Sequence, residues 1–308
     1  SEAIYRSLKD SYDIHFSDAD VNAINPLIPN NCRHAIPMAK DPKFVEEVKE
    51  LCDRLSIDLL VPSVDEELAL LSKLDSVNVM LPDSDYINIM LDKFRCNQAL
   101  IGLGLNAPKT TIIADYKKNN WMYFPCIAKP ISGRGSRDVY IIDSAEQVGS
   151  YLNLTGLGEH EAILQEKIVG VEYTVLVAAD LKTNLHVVVP VRVVSKKGIT
   201  ISAMVEHNLI VEKACSDIHN RLPARGCYNI QLMLTDDGMV FPFEINPRIS
   251  TTFCMSLMSG IDPINIYFNN IVFVLFQALH LYILLYFLLK HFTDKRYASF
   301  FSFVIFSF

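Results

Sequence analysis

The sequence has 308 residues, 50% hydrophobic and 20% charged, so it is long enough to bury more than one core. Its formal net charge of −7 argues against broad attraction to nucleic acid or to an anionic membrane, because such binding needs clustered lysine and arginine. The seven cysteines form no Cys-x-x-Cys pair, which excludes a disulfide framework and a zinc knuckle as expectations and favours a reducing cytoplasm.

The first 90 residues predict a parallel sheet. A helix is expected over residues 1–8 and an apolar strand over residues 12–16. Two further apolar runs, residues 57–61 and 77–81, flank an amphipathic helix at 65–74. Strands and helices that alternate in this way predict parallel pairing with right-handed crossovers. In doubly wound folds the first strand lies inside the sheet, so we expect one more strand ahead of residue 1.

A second helix of this region is predicted from its first residues. Asp41 and Pro42 are typical of an N-cap followed by a proline in the first helical turn, and apolar residues then recur at helical spacing to Leu55. We therefore expect the helix to start directly after Asp41.

From Asp92 onward the pattern changes and a second domain is predicted. A helix to about Leu103 is followed by many extended runs, and Asp236-Asp237-Gly238 has the composition of a hairpin turn. A largely antiparallel sheet is expected. The predicted strands cover residues 110–113, 124–130, 162–166, 172–179, 185–194, 199–205, 228–234 and 239–245.

The segment Phe243-Glu244-Ile245-Asn246-Pro247-Arg248 carries the strongest chemical pattern. Alternate residues of an extended chain share a face, so Glu244, Asn246 and Arg248 are expected to point the same way. Carboxylate and amide oxygens suit Mg²⁺, and a guanidinium suits phosphate or carboxylate. A solvated edge strand is the alternative for this segment by itself.

Two earlier segments have compatible chemistry. Lys129 ends a predicted strand and precedes a loop with two glycines, whose backbone N–H groups can approach phosphate oxygens closely. An ordinary hairpin is the alternative. Residues 165–173 have the character of an extended linker that binds an adenine edge through main-chain groups, with a carboxylate six residues further on for ribose hydroxyls.

Taken together and in order, these residues resemble the ATP-grasp superfamily, in particular ligases related to the large subunit of carbamoyl-phosphate synthase. The resemblance covers about residues 1–270 and implies an α/β and α+β fold: a Rossmann-like pre-ATP-grasp domain (residues 1–90) before a two-subdomain ATP-grasp fold (residues 91–270). It also implies ATP and Mg²⁺ (or Mn²⁺) as cofactors.

The resemblance also assigns roles to residues. It implies Arg248 and Lys129 as catalytic residues and Gln231, Glu244 and Asn246 as metal ligands. The hinge-to-ribose interval is one residue shorter than in carbamoyl-phosphate synthase, and Arg134 and Arg137 replace glycines in the loop. Nucleotide contacts are implied for Lys93, Lys129, Gly133, Gly135, Ser136, Glu166, Ile168 and Glu172.

The implied reaction is ATP-dependent joining of a carboxylate to an amine through an acyl-phosphate, with Mg-ATP bound between the subdomains. Two alternatives stay open: a carbamoyl-phosphate synthase-type activity and a non-catalytic ATP-binding protein. The expected partners are small-molecule carboxylate and amine substrates, with no nucleic acid. Neither the substrates nor the oligomeric state follow from the sequence.

Residues 271–308 form a hydrophobic tail of different composition. Residues 271–289 lack charge and span about 28 Å as a helix, close to the thickness of a bilayer core. Three explanations stay open: a reading-frame scar, a membrane anchor that would tether an otherwise cytoplasmic protein, and a packed core helix.

Overall fold

The computed structural model describes residues 2–197, 199–250, 253–267 and 302–306. Its first part alternates helices and short strands. In chain order these are α1 (Glu2–Leu8), β1 (Asp13–Asp18), β2 (Arg33–Ala35), α2 (Phe44–Leu55), β3 (Leu59–Val61), α3 (Asp65–Leu71), β4 (Asn78–Val79), α4 (Ser84–Met90) and α5 (Lys93–Gly102).

The second part consists mainly of strands, with three helices between them. In chain order its elements are β5 (Thr110–Ile112), β6 (Cys126–Pro130), β7 (Tyr140–Ile142), α6 (Gln147–Thr155), β8 (Ala162–Glu166), β9 (Val171–Ala179), β10 (Leu185–Lys197), β11 (Ile199–Val205), α7 (Leu209–Arg221), β12 (Gly226–Leu234), β13 (Val240–Asn246), α8 (Phe253–Met258) and β14 (Ser302–Phe306).

The N-terminal sheet has the order β2-β1-β14-β3-β4, and its pairs are parallel. The predicted parallel sheet is confirmed. The interior position, for which the sequence predicts a strand ahead of residue 1, is taken in this structure by β14: Phe303 is in register with Ile14 on one side and with Leu59 on the other. A chain segment late in the sequence therefore lies inside the early sheet.

Most of the predicted hydrophobic tail, including residues 271–289, lies outside the described residues. Within the described ranges, no helix combines the length and the apolar composition that a membrane crossing needs.

Two antiparallel sheets make up the rest of the fold. The smaller has the order β5-β8-β6-β7, and the larger β11-β10-β9-β12-β13. The prediction of a largely antiparallel second region is confirmed. Helices α5 and α7 cover one face of the larger sheet through a core that includes Leu100, Val175, Cys215 and Ile245. The opposite face packs in part against the N-terminal part of the fold, through Leu176, Ala178 and Val189, and in part lines a cavity.

The predicted start of α2 is wrong by two residues. The helix begins at Phe44, after Lys43, and the carboxylate of Asp41 accepts the backbone N–H of Lys43 at 2.9 Å. Asp41 thus closes a local turn ahead of the helix, which is a competing use of an aspartate side chain.

Candidate functional site

A cleft of about 570 Å³ lies between the two antiparallel sheets. Every site residue that the sequence predicts lines it, although these residues come from segments up to 155 positions apart (Arg248 − Lys93). The residues that the sequence pattern singled out therefore lie around one cavity. The residues concerned are Lys93, Lys129, Gly133, Gly135, Ser136, Glu166, Ile168, Glu172, Gln231, Glu244, Asn246 and Arg248.

The acidic side of the cleft is built by two neighbouring strands. Gln231 of β12 is in register with Glu244 of β13, and Asn246 follows on the same face of β13. Burial would raise the pKa of Glu244, but Lys93 and Lys129 hold that pKa below its ordinary value, with further help from Asn246. A carboxylate kept ionised beside two amide side chains is a donor set that Mg²⁺ accepts.

The basic side of the cleft contains Lys129 at the end of β6. This side chain is only 4% exposed, its Nζ donates to Gln165 Oε1 at 2.8 Å, and it lies 5.5 Å from the ring centre of Phe243. Burial lowers the pKa of Lys129 to about 8, with the charge of Glu244 acting against that decrease. The sequence did not indicate Gln165 as its partner, because the contact joins two strands.

Lys93 is placed by the start of α5. Asp92 is the N-cap, and its carboxylate accepts the backbone N–H of Arg95 at 2.8 Å, which fixes the first helical turn. The Lys93 Nζ then donates to the carbonyl oxygen of Gly133 at 2.7 Å. The helix therefore presents an ammonium group directly at the glycine loop.

The glycine loop follows β6 and turns through left-handed backbone conformations. Gly133 has φ +118° and Gly135 has φ +71°, values that side chains with a Cβ rarely adopt. Nothing lies within 4 Å of a Cβ built on either glycine, so conformation and not space explains them. The loop carries Arg134, whose Nε lies 3.3 Å from the Glu66 carboxylate of α3.

The linker from β8 to β9 closes another side of the cleft. A Cβ on Gly170 would lie 2.3 Å from the Leu234 carbonyl oxygen, so only glycine lets the linker approach β12 so closely. Glu166 is tied to Lys109 by two hydrogen bonds, of 2.8 and 3.1 Å. The Glu172 carboxylate forms an ion pair with Lys196.

Arg248 has a partner that sequence reasoning missed. Its Nε donates to the carboxylate of Asp65 in α3, and its Nη1 donates to the carbonyl oxygen of Ile249 at 3.0 Å. The two paired residues are 183 positions apart. No local sequence pattern indicates a contact over this distance, because it depends on how the two parts of the fold pack together.

The residues of the cleft fit a magnesium–triphosphate group. Within the described ranges, no cluster of three or more His, Cys, Asp or Glu side chains is arranged to hold a metal alone. Mg²⁺ typically combines one or two carboxylates with the phosphates of a nucleotide. Glu244 would supply the carboxylate, and Lys93 and Lys129 in the same cleft would pair with the phosphates.

Comparison with known proteins places the chain in a family. The ATP-grasp domain family matches residues 90–252, which is more than half of the chain, so the protein belongs to it. The predicted family and the mixed α/β fold are confirmed, and membership supports the predictions of an ATP- and magnesium-dependent, ligase-type enzyme. No curated protein sequence matches significantly.

Solved structures share the fold at low sequence identity. The biotin carboxylase of Campylobacter jejuni is 15% identical with a TM-score of 0.65, over 85% of this chain and 66% of that one. A carboxyaminoimidazole ribonucleotide synthase from Aspergillus clavatus, complexed with ATP, is 15% identical with a TM-score of 0.62, over 82% and 67%.

An L-amino acid ligase from Bacillus licheniformis is 16% identical with a TM-score of 0.57, over 71% of this chain and 56% of that one. The chain thus spans about two thirds or less of these proteins. The relation to carbamoyl-phosphate synthase in particular stays a prediction.

Proposed function

We propose that the protein is an ATP-dependent carboxylate–amine ligase that works through an acyl-phosphate, with Mg-ATP held between two subdomains of residues 91–270. The observation that carries this proposal is the convergence of Lys93, Lys129 and the Glu244–Asn246 pair in one cleft between two sheets. The fold neighbours include a ligase and a carboxylase, which is consistent with carboxylate activation.

In this proposal each wall of the cleft has its own task. Lys93, Lys129 and the glycine-loop N–H groups receive the phosphates, whereas Glu244, Asn246 and Gln231 hold Mg²⁺, which would neutralise phosphate charge. The main chain at Glu166 and Ile168 meets the adenine, and Glu172 meets the ribose. Apolar side chains of the cleft give the base a dry environment; they include Ile127, Ile168 and Met233.

In phosphoryl transfer these residues align the reactants and stabilise negative charge, and no protein nucleophile is required. A substrate carboxylate oxygen attacks the terminal phosphorus of ATP and ADP leaves, giving an acyl-phosphate. An amine then attacks the acyl carbon, phosphate leaves, the amine loses a proton and a C–N bond forms. Arg248, facing the same cleft, stabilises the negative charge of the transferred group.

The division into residues 1–90, 91–270 and 271–308 and a cytoplasmic location belong to the same proposal. The expected substrates are a small carboxylate and a small amine.

The proposal is tested by ADP release in the presence of pooled carboxylates and amines, with hydroxylamine added to trap an acyl-phosphate as a hydroxamate. With the correct carboxylate and with hydroxylamine as the only amine, we expect ADP and hydroxamate to form in equal amounts. Tight ATP binding without ADP release from any pool would instead identify a non-catalytic ATP-binding protein. Bicarbonate as the only effective carboxylate would favour the synthase-type alternative.

A further inference from the structure

The acidic first turn of α3, Asp65-Glu66-Glu67, lies in the N-terminal part of the fold and still contacts the cleft. Asp65 binds Arg248 of the segment after β13, and Glu66 binds Arg134 of the glycine loop. Both arginines line the cleft. The helix is therefore a neighbour of the proposed phosphate site, although no sequence motif marks it.

The two ion pairs differ in burial. The side chains of Arg248 and Asp65 are 10% and 13% exposed, whereas those of Arg134 and Glu66 are 38% and 58% exposed. Exposed pairs contribute little because water screens them, but a buried pair fixes its geometry and is costly to break. Only the Asp65 pair therefore has the rigidity to orient a group in the cleft.

The hydrogen bonds of Arg248 define the plane of its guanidinium. Asp65 accepts from Nε and Ile249 accepts from Nη1, which together use two of the five N–H donors. Among the described residues, no other acceptor is hydrogen-bonded to the remaining three, two of them on Nη2, so they can serve a ligand where Arg248 borders the cleft. A planar fork held at two points is preorganised for phosphate.

The same contact keeps a cation away from the proposed metal ligands. In the part of the chain that the structure describes, no lysine or arginine nitrogen lies within 4.0 Å of the Glu244 carboxylate, even though Arg248 is close enough to lower its pKa. Without Asp65, the carboxylates close enough to interact with Arg248 include Glu67 and Glu244, and pairing with Glu244 would occupy a metal ligand.

We infer that Asp65 is a positioning residue of the active site: it holds the Arg248 guanidinium toward the terminal phosphate of the nucleotide and away from Glu244. This inference rests on the proposed function. It extends the site into the N-terminal part of the fold, so that phosphate binding depends on how α3 is docked.

The test compares binding of ADP and of the non-hydrolysable β,γ-imido analogue of ATP, each with Mg²⁺, by calorimetry of the full chain. Asp65→Ala should weaken analogue binding about 10-fold or more and ADP binding less than about 3-fold, because a misplaced guanidinium affects only the terminal phosphate. Asp65→Glu should recover part of the loss. In an Arg248→Ala background, Asp65→Ala should have no further effect.

The matched control is Asp83→Asn. Asp83 pairs with Arg225 at 3.1 Å, likewise joining the N-terminal part to the antiparallel part, but outside the cleft. It should change neither affinity. Equal losses for ADP and analogue, a tighter analogue complex in Asp65→Ala, or full additivity with Arg248→Ala would each overturn the inference.

Failure of the proposed function is separately visible in this design. A wild-type protein that binds the analogue more tightly than ADP but never releases ADP refutes the ligase and leaves the positioning of Arg248 under test. A wild-type protein that binds neither nucleotide refutes both.

Discussion

Two regions of this protein bury polar side chains, and they differ in how completely those groups are paired. In the core beneath α7, His219 is 2% exposed; one ring nitrogen bonds the Tyr228 hydroxyl and the other the Thr183 carbonyl, both at 2.8 Å. In the cleft, Lys129 is similarly buried, but among the described residues its side chain has one hydrogen-bond partner and Glu244 has no ion pair.

The difference teaches how to separate structural from functional burial. A buried polar group without a full set of partners costs free energy, so several such groups facing one cleft indicate that a ligand completes the set. The His219 network is complete within the protein. The cleft is completed, in our proposal, by a triphosphate and its metal ion, and variants in the two regions should therefore fail in different ways.

The largest effect is expected from Glu244→Gln. The substitution removes the only negatively charged side chain among the proposed Mg²⁺ ligands, so ATP turnover should fall by about 10³-fold or more. The free energy of unfolding should change by less than about 1 kcal/mol. ADP release and urea denaturation measure the two quantities. Glu159→Gln, an exposed substitution, is the control. Turnover within about 3-fold of wild type would remove Glu244 from the site.

Lys129→Met should separate binding from stability. Without the buried ammonium, ATP affinity should fall about 10- to 100-fold, while the nucleotide-free protein should become more stable by roughly 1 kcal/mol, because an apolar side chain replaces a poorly solvated cation. Calorimetry with ATP and a denaturation curve test both signs. The exposed Lys118→Met variant should change neither the ATP affinity nor the stability of the nucleotide-free protein. A less stable apo protein with unchanged affinity would assign Lys129 to the core.

The sequence predicts a structural feature when the residues that form it are close together along the chain, and fails when they are far apart. The strand Ala162–Glu166 has the predicted bounds, because its apolar run is local information. Glu244, Asn246 and Arg248 border one cavity as the alternation along β13 indicated. Gln165 is 36 residues from its partner Lys129, and Asp65 is 183 residues from its partner Arg248. These contacts depend on strand pairing and on how α3 packs against the segment after β13, and no local pattern encodes them.

In the complete network, His219→Leu should cost stability and leave the site intact. The buried Tyr228 hydroxyl and the half-buried Thr183 carbonyl would each lose this partner, which we expect to lower the free energy of unfolding by about 2 to 4 kcal/mol. ATP affinity should stay within about 2-fold of wild type. Tyr228→Phe, which removes only one of the two contacts, should cost less. A loss of affinity without a loss of stability would contradict the comparison.

The smallest predicted effect concerns Glu67, which belongs to neither region. It is 8% exposed and its Oε2 has no hydrogen-bond partner; burial and the charges of Glu66 and Asp18 raise its pKa to about 8, against the opposing effect of Arg134 and Arg248. Between its ordinary value of 4.5 and about 8 the folded protein holds a proton that the unfolded chain releases, so this group makes stability fall as pH rises through that window.

Glu67→Gln should therefore flatten the pH dependence of stability. The variant and the wild type should be equally stable near pH 4, and the variant should gain about 1 to 3 kcal/mol by pH 9, since one pKa unit corresponds to about 1.4 kcal/mol. Glu50→Gln removes an exposed carboxylate that does not act on Glu67, and it should leave the slope as in wild type. Urea denaturation at a series of pH values measures it. Parallel curves for wild type and Glu67→Gln would mean that Glu67 is charged in the fold and that Arg134 and Arg248 already complete its partners.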